Sequence, residues 1–251
     1  MDKYNPIQSE KDIELLEFKV KNMTIYDKIK RTQAAQYWAE KWYYILDDMT
    51  PESYIFEITD EDIECLMKGE LSESLEINLQ KGLDNGYHFI RSTAKSSHSR
   101  KKVMNLTDCL EELTNACLIM SYKYMCRHIF MRKYVNINQE YRCYVYKGKL
   151  RYIEEYYNQK VDENIDHHNV KKSIELYVDQ VTNKLKFVII DDYTVDLGIV
   201  DDKLMVIEIN TPLYLLAGLI LSKYDDTSDK IHNIEKPMFK YQVNKEIYYI
   251  E

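Results

Sequence analysis

Residues 193–210 read YTVDLGIV (193–200), DDK (201–203) and LMVIEIN (204–210). The two ends of this stretch are rich in β-branched and apolar residues and its middle is polar, the pattern of two strands joined by a tight connection. If Asp201, Asp202 and Lys203 all belong to the loop, the paired positions sum to a constant and Asp196 stands opposite Glu208. Side chains alternate faces along a strand, so Glu208 and Asn210 project together and the cross-strand Asp196 projects with them. Three oxygen-bearing side chains then converge, a set of hard ligands suited to magnesium, which is commonly bound by carboxylates, waters and the phosphates of a nucleotide. A solvated hairpin face carrying acids by chance would show the same residues, and the rest of the chain has to decide between the two.

The chain has 251 residues and is 45% hydrophobic, enough for one large or two small domains with a real core. A formal charge of -8 argues against a surface that is a nucleic-acid platform throughout, although a local basic groove is compatible with it. The cysteines (Cys65, Cys109, Cys117, Cys126, Cys143) are odd in number and lack the close spacing of a zinc or redox motif. They read as reduced core thiols of a cytosolic or nuclear protein, and a cytoplasmic location is expected. Residues 1–17 are charged from the second position, and no apolar run approaches the roughly 18 residues of a membrane span, so neither a secretion signal nor a membrane partner is expected. With 6 Gly and 4 Pro against 23 Tyr, a long disordered linker is not expected.

Helical spacing of apolar residues marks 11–20 and 29–46. Tyr54 to Ile58 predicts a strand, followed by acid-led helices over 59–67 and 72–83, the second closed by Asp84, Asn85 and Gly86. Tyr87 to Ile90 predicts a strand running into Arg91, Ser92 and Thr93 and then into the basic, hydroxyl-rich residues 95–102. A cationic polar loop after a buried strand is a place to hold phosphate, through charge from Arg and Lys and directed donors from Ser, Thr and backbone N–H; a solvated connector has the same composition. Thr107 reads as the N-cap of a helix whose apolar stripe is Leu110, Leu113, Cys117 and Met120.

From His128 the period changes to two. Strands are predicted over 129–135, 141–146 and 149–157, with Lys147-Gly148 turning between the last two, so that an antiparallel sheet begins here. On the middle strand Glu140, Arg142, Tyr144 and Tyr146 share a polar face, and Tyr141, Cys143 and Val145 a packing face. An amphipathic helix through Val170, Ile174, Tyr177, Val178 and Val181 precedes the hairpin, which makes the second half α+β. His167-His168 lacks spaced partners for a metal and reads as a solvated helix start, His88 as structural, and Tyr152, Tyr156 and Tyr157 as packing residues. Cys143, on the packing face, is a poor nucleophile.

The runs Met131-Arg132-Lys133-Tyr134-Val135, Glu140-Tyr141-Arg142-Cys143-Tyr144-Val145 and Lys149-Leu150 resemble a diagnostic segment of the cell division cycle protein 123 family. The hairpin is similar to that family's closing motif, with Asp196, Glu208, Ile209 and Asn210 at the motif positions, and Phe89-Ile90-Arg91-Ser92 resembles its strand ending in a basic residue and a Ser-rich turn. The resemblance covers roughly residues 87–220 in preserved order. It implies an α+β ATP-grasp fold of a divergent branch that also includes small phage and viral homologues, with two α+β subdomains of antiparallel sheets enclosing a nucleotide cleft. The subdomains are expected at 1–127, with the phosphate loop, and 128–251, with the hinge and metal site.

By position, the resemblance implies that Arg91, with Ser92 beside it, reaches ATP phosphates, that Arg132, Lys133 and Tyr134 form the hinge meeting adenine, that Arg142 is directed at phosphate, and that Asp196, Glu208 and Asn210 hold Mg2+. Arg91, Arg142 and one of the acids Glu154 and Glu155, with Glu154 preferred, are the catalytic candidates; the sheet register decides between the two acids. The chain departs from the family in having Leu213-Tyr214-Leu215 after the metal motif and acids at Glu154-Glu155 where a basic side chain is expected, and residues 1–86 carry no matching motif. The implied activity is a Mg-ATP-dependent ligase joining a macromolecular end, an RNA terminus or a peptide. The other is an ATP-binding assembly chaperone for a translation initiation factor, as in the eukaryotic relatives. An RNA acceptor would use residues 95–102 and bind in a salt-sensitive way, whereas a protein partner would use the N-terminal helices.

Overall fold

The computed structural model describes residues 39–92, 101–114, 122, 127–155, 166–189, 192–211, 235–243 and 246–251. The helix expected at 11–20, most of the one at 29–46, most of the basic loop at 95–102 and the end of the helix after Leu113 lie outside the described residues. The chain divides into two compact units, residues 1–40 with 52–134 and residues 41–51 with 135–251.

In the first unit, strands β1 (Ser53–Glu57), β2 (Phe89–Ser92) and β3 (His128–Arg132) form an antiparallel sheet in the order β1-β3-β2. Helices α1 (Asp60–Met67), α2 (Glu73–Asp84) and α3 (Leu106–Leu113) accompany it. One sheet face, with Phe56, Ile90, Ile129 and Met131, joins Ile63, Leu66, Leu75, Leu79 and Leu113 in a single apolar core. The helix starts follow capping chemistry, since the Thr59 and Ser72 hydroxyls accept from the amides of Asp62 and Leu75. The N-cap of α3 is Asn105 rather than Thr107, because the Asn105 side-chain oxygen accepts from the Asp108 amide.

The β3 pairing corrects the expected subdomain boundary. Its residues Ile129 to Met131 are buried and pair with β1 on one side and β2 on the other, so the strand belongs to the first unit and the division falls after Tyr134, not after residue 127.

The second unit is a six-stranded sheet in the order β7-β6-β4-β5-β8-β9, formed by β4 (Gln139–Tyr146), β5 (Lys149–Glu155), β6 (Tyr193–Val200), β7 (Lys203–Asn210), β8 (Met238–Val243) and β9 (Glu246–Ile250). Helix α4 (His167–Leu185) turns Ile174, Val178, Val181 and Leu185 inward; Cys143, Ile153, Val195, Ile209 and Phe239 form a continuous buried apolar row across the sheet. Residues 41–51 attach to α4 through the Tyr177 hydroxyl, which donates to the Met49 carbonyl at 3.1 Å, and through the Lys184–Asp48 ion pair. The sheet is not wholly antiparallel: β5 and β8 run parallel, and β8 and β9 carry no sequence signal among those read above.

The β6–β7 hairpin reaches the expected pairing by a different route. The loop is two residues, Asp201 and Asp202, both with positive φ (47° and 61°), and Val200 pairs with Lys203. Such a turn alone would set Asp196 opposite Ile207 and send Glu208 to the core face. An irregularity after Asp196 makes Ile207 an extra residue in β7, so Leu197 pairs with Val206 while Asp196 pairs with Glu208.

Asp62 ties the start of α1 to that of α2. Its carboxylate is buried and accepts from the Thr59 amide (2.7 Å), the Thr59 hydroxyl (2.9 Å), the Ser74 hydroxyl (2.7 Å) and the Ser72 hydroxyl. Burial alone would raise its pKa, but the hydrogen bonds led by Ser72 outweigh burial and hold it below the ordinary value. The folded state therefore binds fewer protons than the unfolded one, so the stabilisation is complete above the unfolded-state pKa and is lost as pH falls through the folded one. Asp62→Ala is expected to lower the unfolding free energy at pH 7 by about 2 kcal/mol and to flatten its decline below about pH 4, measured by urea titration across pH. At Gly198, a Cβ would lie 3.0 Å from Ile137 Cγ2 and from Ile207 Cγ1 and Cδ1. Gly198→Ala is expected to cost roughly 1–2 kcal/mol by pushing on the bulge, with amide chemical shifts moving at Asp196 and Glu208.

Candidate functional site

The register of the second unit lines up one row of side chains across the whole sheet. Glu208 pairs with Asp196, Asp196 with Arg142, Arg142 with Glu154, Glu154 with Lys240 and Lys240 with Tyr249. Directly paired residues share a face, so five charged side chains from five strands form a ribbon ordered acid, acid, base, acid, base. Glu154 is thus the acid that shares a face with Arg142; Glu155 pairs with the core residue Tyr141 and accepts from Gln139 Nε2 at 2.7 Å.

Arg142 Nε donates to Asp196 Oδ1 and Nη2 to Oδ2, each at 2.7 Å, a two-pronged geometry that fixes both planes. Asn210 Nδ2 donates to the same Oδ2 at 3.2 Å. Burial pushes the Asp196 carboxyl up to about 6 against the pull of Arg142, and the charges of Glu208 and Glu140 raise it further. Glu140, buried one row away and opposite Gly198, is a third acid near this corner that the sequence reading did not single out as a site residue. Beyond Arg142, Glu154 accepts from Lys240 Nζ and from the Tyr144 hydroxyl, both at 3.3 Å.

The donor set of this corner is oxygen-based. Asp196 and Glu208 offer carboxylates, and with its amide nitrogen committed to Asp196, Asn210 offers its carbonyl oxygen. Among the described residues no three His, Cys, Asp or Glu side chains gather as a metal-holding group. Two carboxylates and an amide oxygen fill part of an octahedral shell, and a magnesium ion takes its remaining oxygens from water and phosphate. A buried hydroxyl without a partner, Thr194 Oγ1, stands in the adjacent row opposite Asn210, so the corner has unused hydrogen-bonding capacity. These residues fit magnesium. Cys143 lies on the core face, and burial drives its thiol well above the ordinary value, in keeping with a packing role.

In the first unit, Arg91 and Arg132 occupy the sheet face opposite to the helical core, in rows with Phe130 and Phe89. Both arginines are buried; the Arg132 guanidinium lies 5.0 Å from the Phe89 ring centroid and 5.8 Å from that of Phe130, and Arg91 Nε donates to the Ser92 carbonyl at 3.0 Å. Ser92 is a correction: alternation puts it on the core face opposite Ile129, away from Arg91. Lys133 is salt-bridged to Glu52 at 2.6 Å, and its amide donates to the Glu52 carbonyl. Tyr134 is 40% exposed, with Lys102 Nζ 5.8 Å from its ring centroid, and it ends the first unit, so Arg132 to Tyr134 immediately precede the unit boundary. Of the basic run, Lys101 is engaged by Asp108 and Glu111.

Glu140, Thr194 and Lys240 are the site-face residues that the sequence reading misses. Glu140 is legible as a neighbour of Arg142 by alternation, whereas Thr194 matters through its burial and Lys240 through a parallel pairing, neither of which a local pattern reports.

Comparison with known proteins bears on the whole arrangement. A family model described as an ATP-grasp domain, the second family of its clade, matches residues 80–219. The CDC123-like protein L884 of Acanthamoeba polyphaga mimivirus is 26% identical over 223 residues, covering 74% of this chain and 68% of that protein. The solved structure of Cdc123 from Schizosaccharomyces pombe superposes with a TM-score of 0.62 at 13% identity, covering 83% of this chain and 96% of that one, and its C-terminally truncated form with a TM-score of 0.61. With the family model spanning more than half of its length and the mixed α+β architecture matching, the chain belongs to this ATP-grasp domain family.

Proposed function

We propose that the protein binds ATP with magnesium and uses it, as a ligase, to activate and join a macromolecular end, an RNA terminus or a peptide. The single observation that carries the reading is the Glu208–Asp196–Arg142–Glu154 row, in which carboxylates for a cation and a guanidinium for phosphate stand on neighbouring strands of one sheet face. Asp196, Glu208 and Asn210 would hold the magnesium, which supplies charge neutralisation at the phosphates. Arg142, held in plane by Asp196, directs its donors at phosphate, and Arg91 and Arg132 of the first unit add positive charge. Lys133 and Tyr134 would border the base. Glu154, flanked by Lys240 and the Tyr144 hydroxyl, is placed to take or hold a proton at the acceptor.

Calorimetric titration with ATP in the presence and absence of Mg2+ tests the site. Glu208→Ala is expected to weaken Mg-ATP binding by about 10–100-fold with little change in the unfolding midpoint. Asp196→Asn, which keeps an acceptor for Arg142, is expected to do the same, and unchanged affinity in both variants contradicts the assignment. Incubating the protein with labelled ATP and either RNAs bearing 5′-phosphate and 3′-hydroxyl ends or peptides tests the reaction: release of AMP or ADP with one acceptor class identifies the acceptor. Tight nucleotide binding without turnover on either favours an ATP-holding assembly module for a translation factor.

A further inference from the structure

Thr194 is out of keeping with its surroundings. It sits in β6, which reads Tyr-Thr-Val-Asp-Leu-Gly-Ile-Val, and is 3% exposed, yet its hydroxyl oxygen has no hydrogen-bond partner. A buried hydroxyl left unsatisfied costs roughly 1–3 kcal/mol, and valine, of the same shape and favoured in strands, would fill the position without that cost. Such an atom in a native fold calls for a partner from outside the chain.

Its position says what kind. Thr194 is two residues from Asp196 on the same strand, hence on the same face, and pairs directly with Asn210 on one side and Tyr144 on the other. Both polar neighbours are turned elsewhere, the Asn210 amide nitrogen to Asp196 and the Tyr144 hydroxyl to Glu154. The orphaned oxygen therefore borders the cation corner, and the groups beside it that could have satisfied it are already used. The other buried hydroxyl without a partner among the described residues of this sheet, that of Tyr141, lies on the core face, away from the acids.

We propose that Thr194 is a further member of this site, its hydroxyl hydrogen-bonded to a water in the coordination shell of the divalent cation held by Asp196, Glu208 and Asn210. The inference rests on the magnesium-nucleotide reading of that corner. A magnesium ion keeps several of its waters, and each needs an acceptor; the Thr194 oxygen supplies one in a position where the strand pairing has fixed its direction. Thr194 is thus a positioning residue that acts through the hydration shell and not a ligand.

The full-length chain carrying Thr194→Val, Thr194→Ser or Glu208→Ala tests this, with two readouts: the urea midpoint without nucleotide, and the affinity for a non-hydrolysable ATP analogue with Mg2+ and with EDTA. Thr194→Val is expected to hold or raise the midpoint while weakening Mg2+-dependent affinity by about 5–10-fold, with the EDTA affinity unchanged, and Thr194→Ser to restore wild-type binding. Opposite movement of stability and affinity is the signature, because a hydroxyl used only within the fold would lose both together. If Thr194→Val binds as wild type while Glu208→Ala does not, the cation site stands and the role of Thr194 is overturned. If Glu208→Ala also binds as wild type, the reading of the corner itself fails and the Thr194 proposal falls with it.

Discussion

One extra residue decides whether the acids of this protein meet. The turn at Asp201 and Asp202 is as short as a hairpin allows, and its register would carry Glu208 and Asn210 into the apolar core. Ile207 restores them: placed as a bulge, it shifts the end of β7 by one position relative to β6, so Val206 and Ile209 both remain on the packing face while Glu208 returns to Asp196. Gly198 is part of the same device, because the bulged Ile207 and Ile137 occupy the space a side chain there would need. Everything assigned to the polar face of the second unit depends on this local change of register.

The electrostatics of that face follow from its position within the sheet. β6 has neighbours on both sides and is buried along nearly its whole length, so a carboxylate at Asp196 is expensive unless neutralised, which is what the two-pronged bond from Arg142 does. Two partners of opposite sign that satisfy each other also mark where ligands of opposite sign would fit, with a cation against the carboxylate and a polyanion against the guanidinium. The pairing of Arg142 with Asp196 differs from the simple division of labour in which the arginine faces phosphate and the aspartate faces metal, each alone. The two side chains form one unit, and their positions are set jointly.

How much of this is legible in the sequence depends on whether the signal is local. Strand alternation and turn chemistry place β1, β4, β5, β6 and β7 nearly to the residue, and capping residues locate the starts of α1 and α2. The Asp196–Glu208 pairing is anticipated from a three-residue loop; it is right in outcome because a two-residue loop and a bulge add up to the same offset. The placement of β3 is not legible. A hydrophobic run of period two says that a strand exists but not which sheet it joins, and His128–Arg132 has its partners 35 or more residues upstream. Ser92 shows the same limit on a smaller scale, since residues adjacent in a motif necessarily point to opposite faces of a strand.

The far end of the charged row carries this furthest. β8 joins the sheet beside β5 in parallel, and a parallel partner is always distant in sequence because its connection must cross the sheet. The family model ends at residue 219, so Lys240 comes from a part of the chain outside the matched segment. It nonetheless stands in the same row as Asp196 and Arg142 and gives Glu154 a cation of its own. Without it, Glu154 would compete with Asp196 for Arg142, the base between them. With it, each acid flanking Arg142 has a base, and the guanidinium stays oriented toward Asp196. A strand added late in the chain thereby stabilises the geometry of a corner whose residues lie on strands before it.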